Sequence, residues 1–255
     1  MSDIALDFRI QAQPDNVSCG PTCLQAVYRH FGQERSVQRL IREIDQLQDG
    51  GTLAVILGQH ALRLGFRSTI YTFDLKVFDP SWFASRFSLE FHREGTARAD
   101  NMEAGELIER LKLQKKHKKS VKLQMASQAY IDYLQAGGRI LMEDLSFDFI
   151  VAHLKRDQPI LTGLSSTYLY HCHREHGDNL DADDVRGLNQ GHFVVLTGYN
   201  QRQRSVTVSD PYLPNPSRKQ VYKVPFDRLA AAIFLGVLTY DANLLVIEPK
   251  TAKKG

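Results

Sequence analysis

The sequence predicts an α+β fold. Apolar residues recur at helical spacing through roughly the first 65 positions, whereas β-branched and aromatic runs cluster after position 160, and no internal repeat links the two regions. Helices first and a mainly antiparallel sheet later is the order of an α+β domain. The chain has 255 residues, 43% hydrophobic and 24% charged, enough for a sizeable core and inconsistent with a disordered or low-complexity polymer. The expected organisation is one domain over 1–255, with 79–143 set apart as a lysine-rich, largely helical insertion or subdomain.

A leader ends at Gln13-Pro14-Asp15, after which Leu24, Val27, Tyr28 and Phe31 mark a helix over about 20–31, with Pro21 near its start and Gly32 beyond its end. Ser36 is placed to cap a second helix carrying Val37, Leu40, Ile41 and Ile44, and Thr52 a third carrying Leu53, Ile56, Leu57, Ala61 and Leu64. Gly65 stops that helix, and 66–73 reads as a strand. Beyond Asp79-Pro80 the chain becomes charged, with Lys112, Lys115, Lys116, Lys118, Lys119 and Lys122 and no acidic residue between Glu109 and Asp132. Ser146 opens a helix that ends before Asp157-Gln158-Pro159. Strands follow over 160–164, 192–199 and 205–209, the last two joined by a turn over 200–204; a helix over 226–235 and a strand over 244–247 complete the chain.

Composition excludes several function classes. The net charge of +3 is too mild to imply nucleic acid. The longest apolar run, Leu229 to Leu238, is about half of the roughly 20 residues a membrane span needs, and the N-terminus lacks a basic region followed by an apolar core. Three cysteines suit free thiols in a reducing compartment better than a disulfide framework. A cytoplasmic chain is expected.

The chemistry concentrates in Gln13 to Cys23, Gln-Pro-Asp-Asn-Val-Ser-Cys-Gly-Pro-Thr-Cys. Cys19 stands at a helix start, where free N–H groups and the positive dipole end favour a thiolate. Gly20 leaves room for a substrate carbonyl to approach the backbone, and Pro21 starts the helix without wasting a donor. In Gly191-His192-Phe193-Val194-Val195-Leu196-Thr197-Gly198-Tyr199 a histidine opens an apolar strand, and Gly191 lets the chain turn close to the site. Asp210, followed by Pro211, closes the next strand, so pairing of the two strands brings it back beside His192. Cys, His and Asp so placed are a nucleophile, a general base and its orienting carboxylate.

Together these elements resemble the papain-like cysteine peptidases of the bacteriocin-processing, double-glycine leader peptidase family and its stand-alone bacterial relatives. The resemblance covers roughly 10–73 and 150–212 and implies a papain-like fold, with N-terminal helices packed on the sheet. It further implies Cys19 as nucleophile, His192 as base, Asp210 as orienter and Gln13 as an oxyanion donor; an uncharged amide is chemically suited to that last role. The chain departs from the family's pattern in two ways. Cys19 and His192 are 173 positions apart, the excess coinciding with the lysine-rich segment, and neither a membrane span nor a phosphate-loop motif is present.

Other features have blander readings. Cys23, one helical turn after Cys19, reads as a core thiol. His171-Cys172-His173-Arg174-Glu175-His176 contains metal-ligand types, but neighbours in an extended chain diverge, so a solvated loop is expected and no metal or cofactor is invoked. Asp178, Asp181, Asp183 and Asp184 continue that loop, which is placed to act as a lid with Gly191 at its end. The lysine cluster lacks aromatic partners for stacking bases, which leaves a solvated helix or a contact for an acidic segment of the substrate. Trp82 reads as a packing anchor. The expected activity is hydrolysis of an amide bond in a peptide or protein substrate through an acyl-enzyme. The alternatives are acyl transfer, as in the papain-like phytochelatin synthases, and a catalytically silent peptide-binding module.

Overall fold

Helix α1 (Cys19–His30) is buried over ten consecutive residues, Cys19 to Tyr28. A helix buried on every side must sit inside the fold, and the rest of the chain is laid around it. The computed structural model describes residues 3–46, 51–83, 103–177 and 179–250; residues 84–102 of the lysine-rich segment, and Asp178, lie outside them. Before α1 runs strand β1 (Ile4–Ala5); after it come α2 (Val37–Glu43), α3 (Ala54–Arg63) and β2 (Phe66–Thr72). Next are α4 (Ala104–His117), α5 (Val121–Gln135), β3 (Arg139–Leu141), α6 (Phe147–Leu154), β4 (Ile160–Ser165) and the short α7 (Ser166–Tyr170). Strands β5 (Glu175–His176) and β6 (Asp181–Ala182) form a small hairpin. The chain finishes with β7 (Gly191–Asn200), β8 (Ser205–Ser209), β9 (Val221–Pro225), α8 (Phe226–Leu235) and β10 (Asn243–Pro249).

The main sheet has the order β3-β2-β10-β4-β7-β8-β9, with β1 added to the end of β7. Its pairs are antiparallel except β2 with β3, so the fold is α+β as the sequence predicts. Period-two alternation divides each central strand between two cores. Phe193 and Val195 of β7, Leu161 of β4 and Leu245 and Ile247 of β10 join the core beneath α1, α3, α4 and α5. Val194 and Leu196, Ile160 and Leu164, and Leu244 and Val246 join the opposite core beneath α6 and α8. Strands covered on both faces need apolar residues at nearly every position, which explains the unbroken Phe-Val-Val-Leu run in β7.

The lysine-rich segment is helical over Ala104–His117 and Val121–Gln135, and these helices pack into the main core. Leu107, Leu111, Leu123, Ala126, Tyr130 and Leu134 belong to the same buried cluster as α1, and β3 extends the sheet beside β2. Its lysines are exposed or part-exposed, with Lys118 and Lys119 in the connection between the two helices.

Two helix starts show what single residues can and cannot signal. Ser36 caps α2 as expected, accepting from the Arg39 N–H at 3.3 Å. Thr52 does not cap α3; its hydroxyl donates to the Asp45 carbonyl at 3.2 Å, and the Ala54 N–H is taken by Asp241 Oδ1, also at 3.2 Å. Asp241 is buried, and burial raises its carboxyl from 3.8 to about 7 despite hydrogen bonds from Asn243 and Ala54. Between these values the unfolded chain releases the proton while the folded chain keeps it, so this group lowers stability as pH rises through that window. Asp241→Asn keeps an oxygen acceptor without the buried charge. Its Tm is expected above the wild-type value at pH 8, at about 2–4 °C per kcal/mol gained, with the advantage vanishing near pH 4. A Tm lowered equally at both pH values would show that buried charge on Asp241 is not what sets its contribution.

Candidate active site

Three sequence-distant segments meet at the start of β7. Cys19 is the first residue of α1, 9% exposed, behind Ser18. Gly20 lies inside the protein rather than against a ligand: a Cβ there would stand 2.6 Å from Thr52 Cγ2 and 3.3 Å from Leu57 and Phe193. Its missing side chain therefore lets α1 seat against α3 and β7. One turn later, the Cys23 thiol donates to the Phe193 carbonyl at 3.3 Å, tying α1 to β7. Burial, with the neighbouring Cys19 and Asp210, pushes the Cys23 thiol well up, consistent with a core role.

His192 is the second residue of β7 and 8% exposed. Gly191 before it is exposed, and a Cβ there would come within 2.8 Å of Thr239 Oγ1. The β7–β8 pairing carries Asp210 back beside His192, where His192 Nε2 donates to Asp210 Oδ1 at 2.9 Å. With Nε2 engaged, the other ring nitrogen is left for the thiol. Burial alone would lower the imidazole, but hydrogen bonds and charge interactions with Asp210 and Cys19 outweigh it and raise the group to about 10. The raised value favours the imidazolium form of His192 beside the Asp210 carboxylate.

Asp210 is fully buried, and its four contacts explain why it can be. Oδ1 also accepts the Tyr212 N–H at 2.8 Å, while Oδ2 accepts the Tyr170 and Tyr222 hydroxyls, each at 2.7 Å. Burial pushes the carboxyl up; the bond to charged His192, joined by the two phenols, reverses that and leaves it below its ordinary range. Both phenols are in turn pushed well up, by burial first and then by the Asp210 charge, so they remain donors. The His192 ring is flanked by Tyr170 and Tyr212 at centroid distances of 6.1 and 6.0 Å.

Gln13 reaches the same place by its backbone, its N–H donating to the Pro211 carbonyl at 2.9 Å. Its side-chain amide donates to the Asp15 carbonyl at 2.7 Å, leaving one of its two N–H groups uncommitted. Gln13, Gly191 and His192 line a cavity of about 520 Å³, whose far wall includes Cys172, Glu175 and Leu180. Cys19 and Gly20 are not part of this lining among the described residues. The stretch after Tyr170 is exposed over His171–Arg174, in keeping with a solvated loop, and further on Glu175–His176 and Asp181–Ala182 pair in the short β5–β6 hairpin, whose Glu175 and Ala182 line the cavity; α7 precedes it, with the Ser166 N–H donating to the Gln190 carbonyl at 3.0 Å. Among the described residues, 103–143 contribute nothing to the lining of this cavity. Nor, among them, does any trio of His, Cys, Asp or Glu stand where it could hold a metal ion.

Tyr170 and Tyr222 escape a reading of the sequence. Tyr170 merely precedes the His-Cys-His run, and Tyr222 lies in Val-Tyr-Lys-Val, whose alternation is the one signal that marks β9.

Comparison with known proteins gives two family matches. The model described as the Peptidase C39 like family matches residues 96–233, and that of the Peptidase C39 family matches 7–89. Among solved structures, a protein described as a C39-like peptidase from Bacillus anthracis aligns at a TM-score of 0.51 and 14% identity, over 99% of this chain and 100% of that one. A cysteine protease from Xylella fastidiosa, xylellain, aligns at 0.42 and 16%, over 98% and 86% of the two chains. A double-glycine motif protease from an AMS/PCAT transporter, in complex with its leader peptide, aligns at 0.41 and 11%, over 98% and 99%. No curated protein matches.

Proposed function

The chain belongs to the Peptidase C39 like family and is a cysteine peptidase, and on that premise we propose that Cys19, His192 and Asp210 cleave a peptide bond through an acyl-enzyme. The observation that carries this reading is the pairing of His192 Nε2 with the buried Asp210 carboxylate at 2.9 Å, with Cys19 near enough to help raise the imidazole. Cys19 Sγ, its proton transferred to His192, attacks the scissile carbonyl. The charge that develops on oxygen is met by the Cys19 backbone N–H and the uncommitted N–H of Gln13. Collapse of the tetrahedral intermediate breaks the C–N bond as His192 returns its proton to the leaving amine. Water, deprotonated by His192, then releases the acid from the thioester. Asp210 holds the imidazole in one orientation throughout. The peptide occupies the cavity beside Gln13, Gly191 and His192, and the described part of the lysine-rich segment, through α5 and β3, buttresses α3 and β2.

Acid quenching during turnover of an activated peptide ester, followed by intact-mass and peptide mapping, tests the scheme. A thioester on Cys19 is expected, and Gln13→Ala is expected to slow its formation by about 10²-fold with little change in KM. An acyl group on another residue would remove the proposed nucleophile, and an effect of Gln13→Ala confined to KM would reassign that residue to binding.

A further inference from the structure

A second cavity, of about 230 Å³, adjoins the first. Tyr170 and Pro216 line both, so the two recesses meet along those side chains. The second is bordered by the end of α7, the loop after Asp210, strand β9 and the first turn of α8. Tyr170 and Tyr222 form its wall on the catalytic side and turn their hydroxyls away, to Asp210. The lining carries two cations, Lys223 and Arg228, and among the described residues no acidic side chain.

Arg228 is under-satisfied. Its Nη2 reaches the Tyr168 carbonyl at only 3.5 Å and its guanidinium lies 5.9 Å from the Tyr168 ring centroid. Its Nε is buried without a hydrogen-bond partner among the described residues, and neither Arg228 nor Lys223 has an ion-pair partner among them. A buried donor left unmet is an incomplete inventory, and a guanidinium fork is completed best by a planar carboxylate. Helix α8 begins at Phe226 with no side-chain cap among the described residues, adding the positive end of its dipole to the same border. Asp227, in that turn, is exposed and outside the lining.

We infer that this recess is a specificity subsite for an acidic side chain of the peptide substrate, seated beyond Tyr170 and bound by Arg228 with help from Lys223. The inference rests on the peptide-cleaving site proposed above, from whose cleft the recess opens. It moves recognition of acidic sequence from the lysine helices, which border neither cavity, to the end of α7 and the start of α8.

The test is binding by the Cys19→Ala chain, read as fluorescence anisotropy of a labelled peptide library carrying Glu, Gln or Lys at each position in turn. At one position Glu peptides are expected to bind about tenfold more tightly than Gln peptides, with Lys peptides weakest. Arg228→Gln is expected to bring the Glu-to-Gln ratio to about one, Arg228→Lys to keep part of it, and Lys223→Gln, at an exposed position, to reduce it by about threefold. A library with no position favouring Glu, or a ratio unchanged in Arg228→Gln, would overturn the subsite. Cleavage by the unsubstituted chain is read in parallel. Cleavage without acidic preference would leave the catalytic reading and remove the subsite; acidic preference without cleavage would do the reverse.

Discussion

Replacing His192 with alanine lowers kcat/KM on a cleaved peptide by about 10⁴-fold, and Cys19→Ala lowers it at least as far, because neither group has a substitute in the site. Cys23 cannot take over: it is fully buried, its thiol is raised by burial and it is engaged with the Phe193 carbonyl. His173 lines the cavity and is exposed, but it lacks the tie to Asp210 that fixes a ring for proton transfer. Asp210→Asn has the milder effect, on the order of 10²-fold. Asn can still accept from His192 Nε2, and its amide can donate to the phenols, which then act as acceptors. What disappears is the anion that helps hold His192 near 10, so the alkaline limb of the pH profile is expected to fall toward the ordinary histidine range of 6.5. Steady-state kinetics across pH checks this, and a limb unmoved in Asp210→Asn would show that Asp210 does not hold the proton on His192.

The second large effect comes from Tyr170→Phe combined with Tyr222→Phe. Both rings stay, both donors go, and Asp210 Oδ2 is left buried with neither of its 2.7 Å bonds. An unsatisfied buried acceptor costs about 1–3 kcal/mol, more when charged, so the double substitution is expected to lower kcat by roughly 10²-fold and each single one by less. The signature is in the pH dependence. Burial raises Asp210 and the hydrogen bonds lower it, so removing two of them moves its pKa upward and shifts the acidic limb of kcat/KM to higher pH. The sign for stability follows. A depressed carboxyl contributes stability that is present above its unfolded pKa and lost as pH falls through the folded one. The double variant should therefore be less stable than wild type at neutral pH, with the gap closing in acid. A lowered Tm with an unmoved acidic limb would reduce the two tyrosines to packing.

Cys19, His192 and Asp210 were legible because each sits where local geometry is written locally. A cysteine ahead of Gly-Pro marks a helix start, a histidine opens an apolar run, and a short turn, over 201–204 in the structure, dictates the pairing that folds 210 back to 192. Helix α8 and strands β4, β7, β8 and β10 were legible for the same reason, as short runs with strong period and clear punctuation, whereas β9 was not read. The groups supporting the triad were not. Tyr170 and Tyr222 lie 40 and 12 positions from Asp210, and nothing near either residue records its partner. Asp241 caps a helix 187 positions away, while the locally plausible Thr52 does not. The lysine-rich segment shows its charge in the sequence more plainly than its packing: the leucines at Leu107, Leu111 and Leu123 close the same core as α1. Helix α7 is only five residues long and β5 and β6 two each, too short for any period to show.

The central claim is that Cys19, coupled to His192 and through it to Asp210, is the nucleophile. Competitive labelling with iodoacetamide, resolved by peptide mapping between about pH 6 and about pH 8, tests it most directly, because thiolate availability decides the rate. Burial raises both other thiols, Cys23 strongly and Cys172 with the help of Glu175. Cys19 is expected to react first across the whole range, although Cys172 is the exposed cysteine, and to lose that lead in His192→Ala. Faster labelling of Cys172 or Cys23, or a Cys19 rate unaffected by His192→Ala, would contradict the coupling on which the account is built.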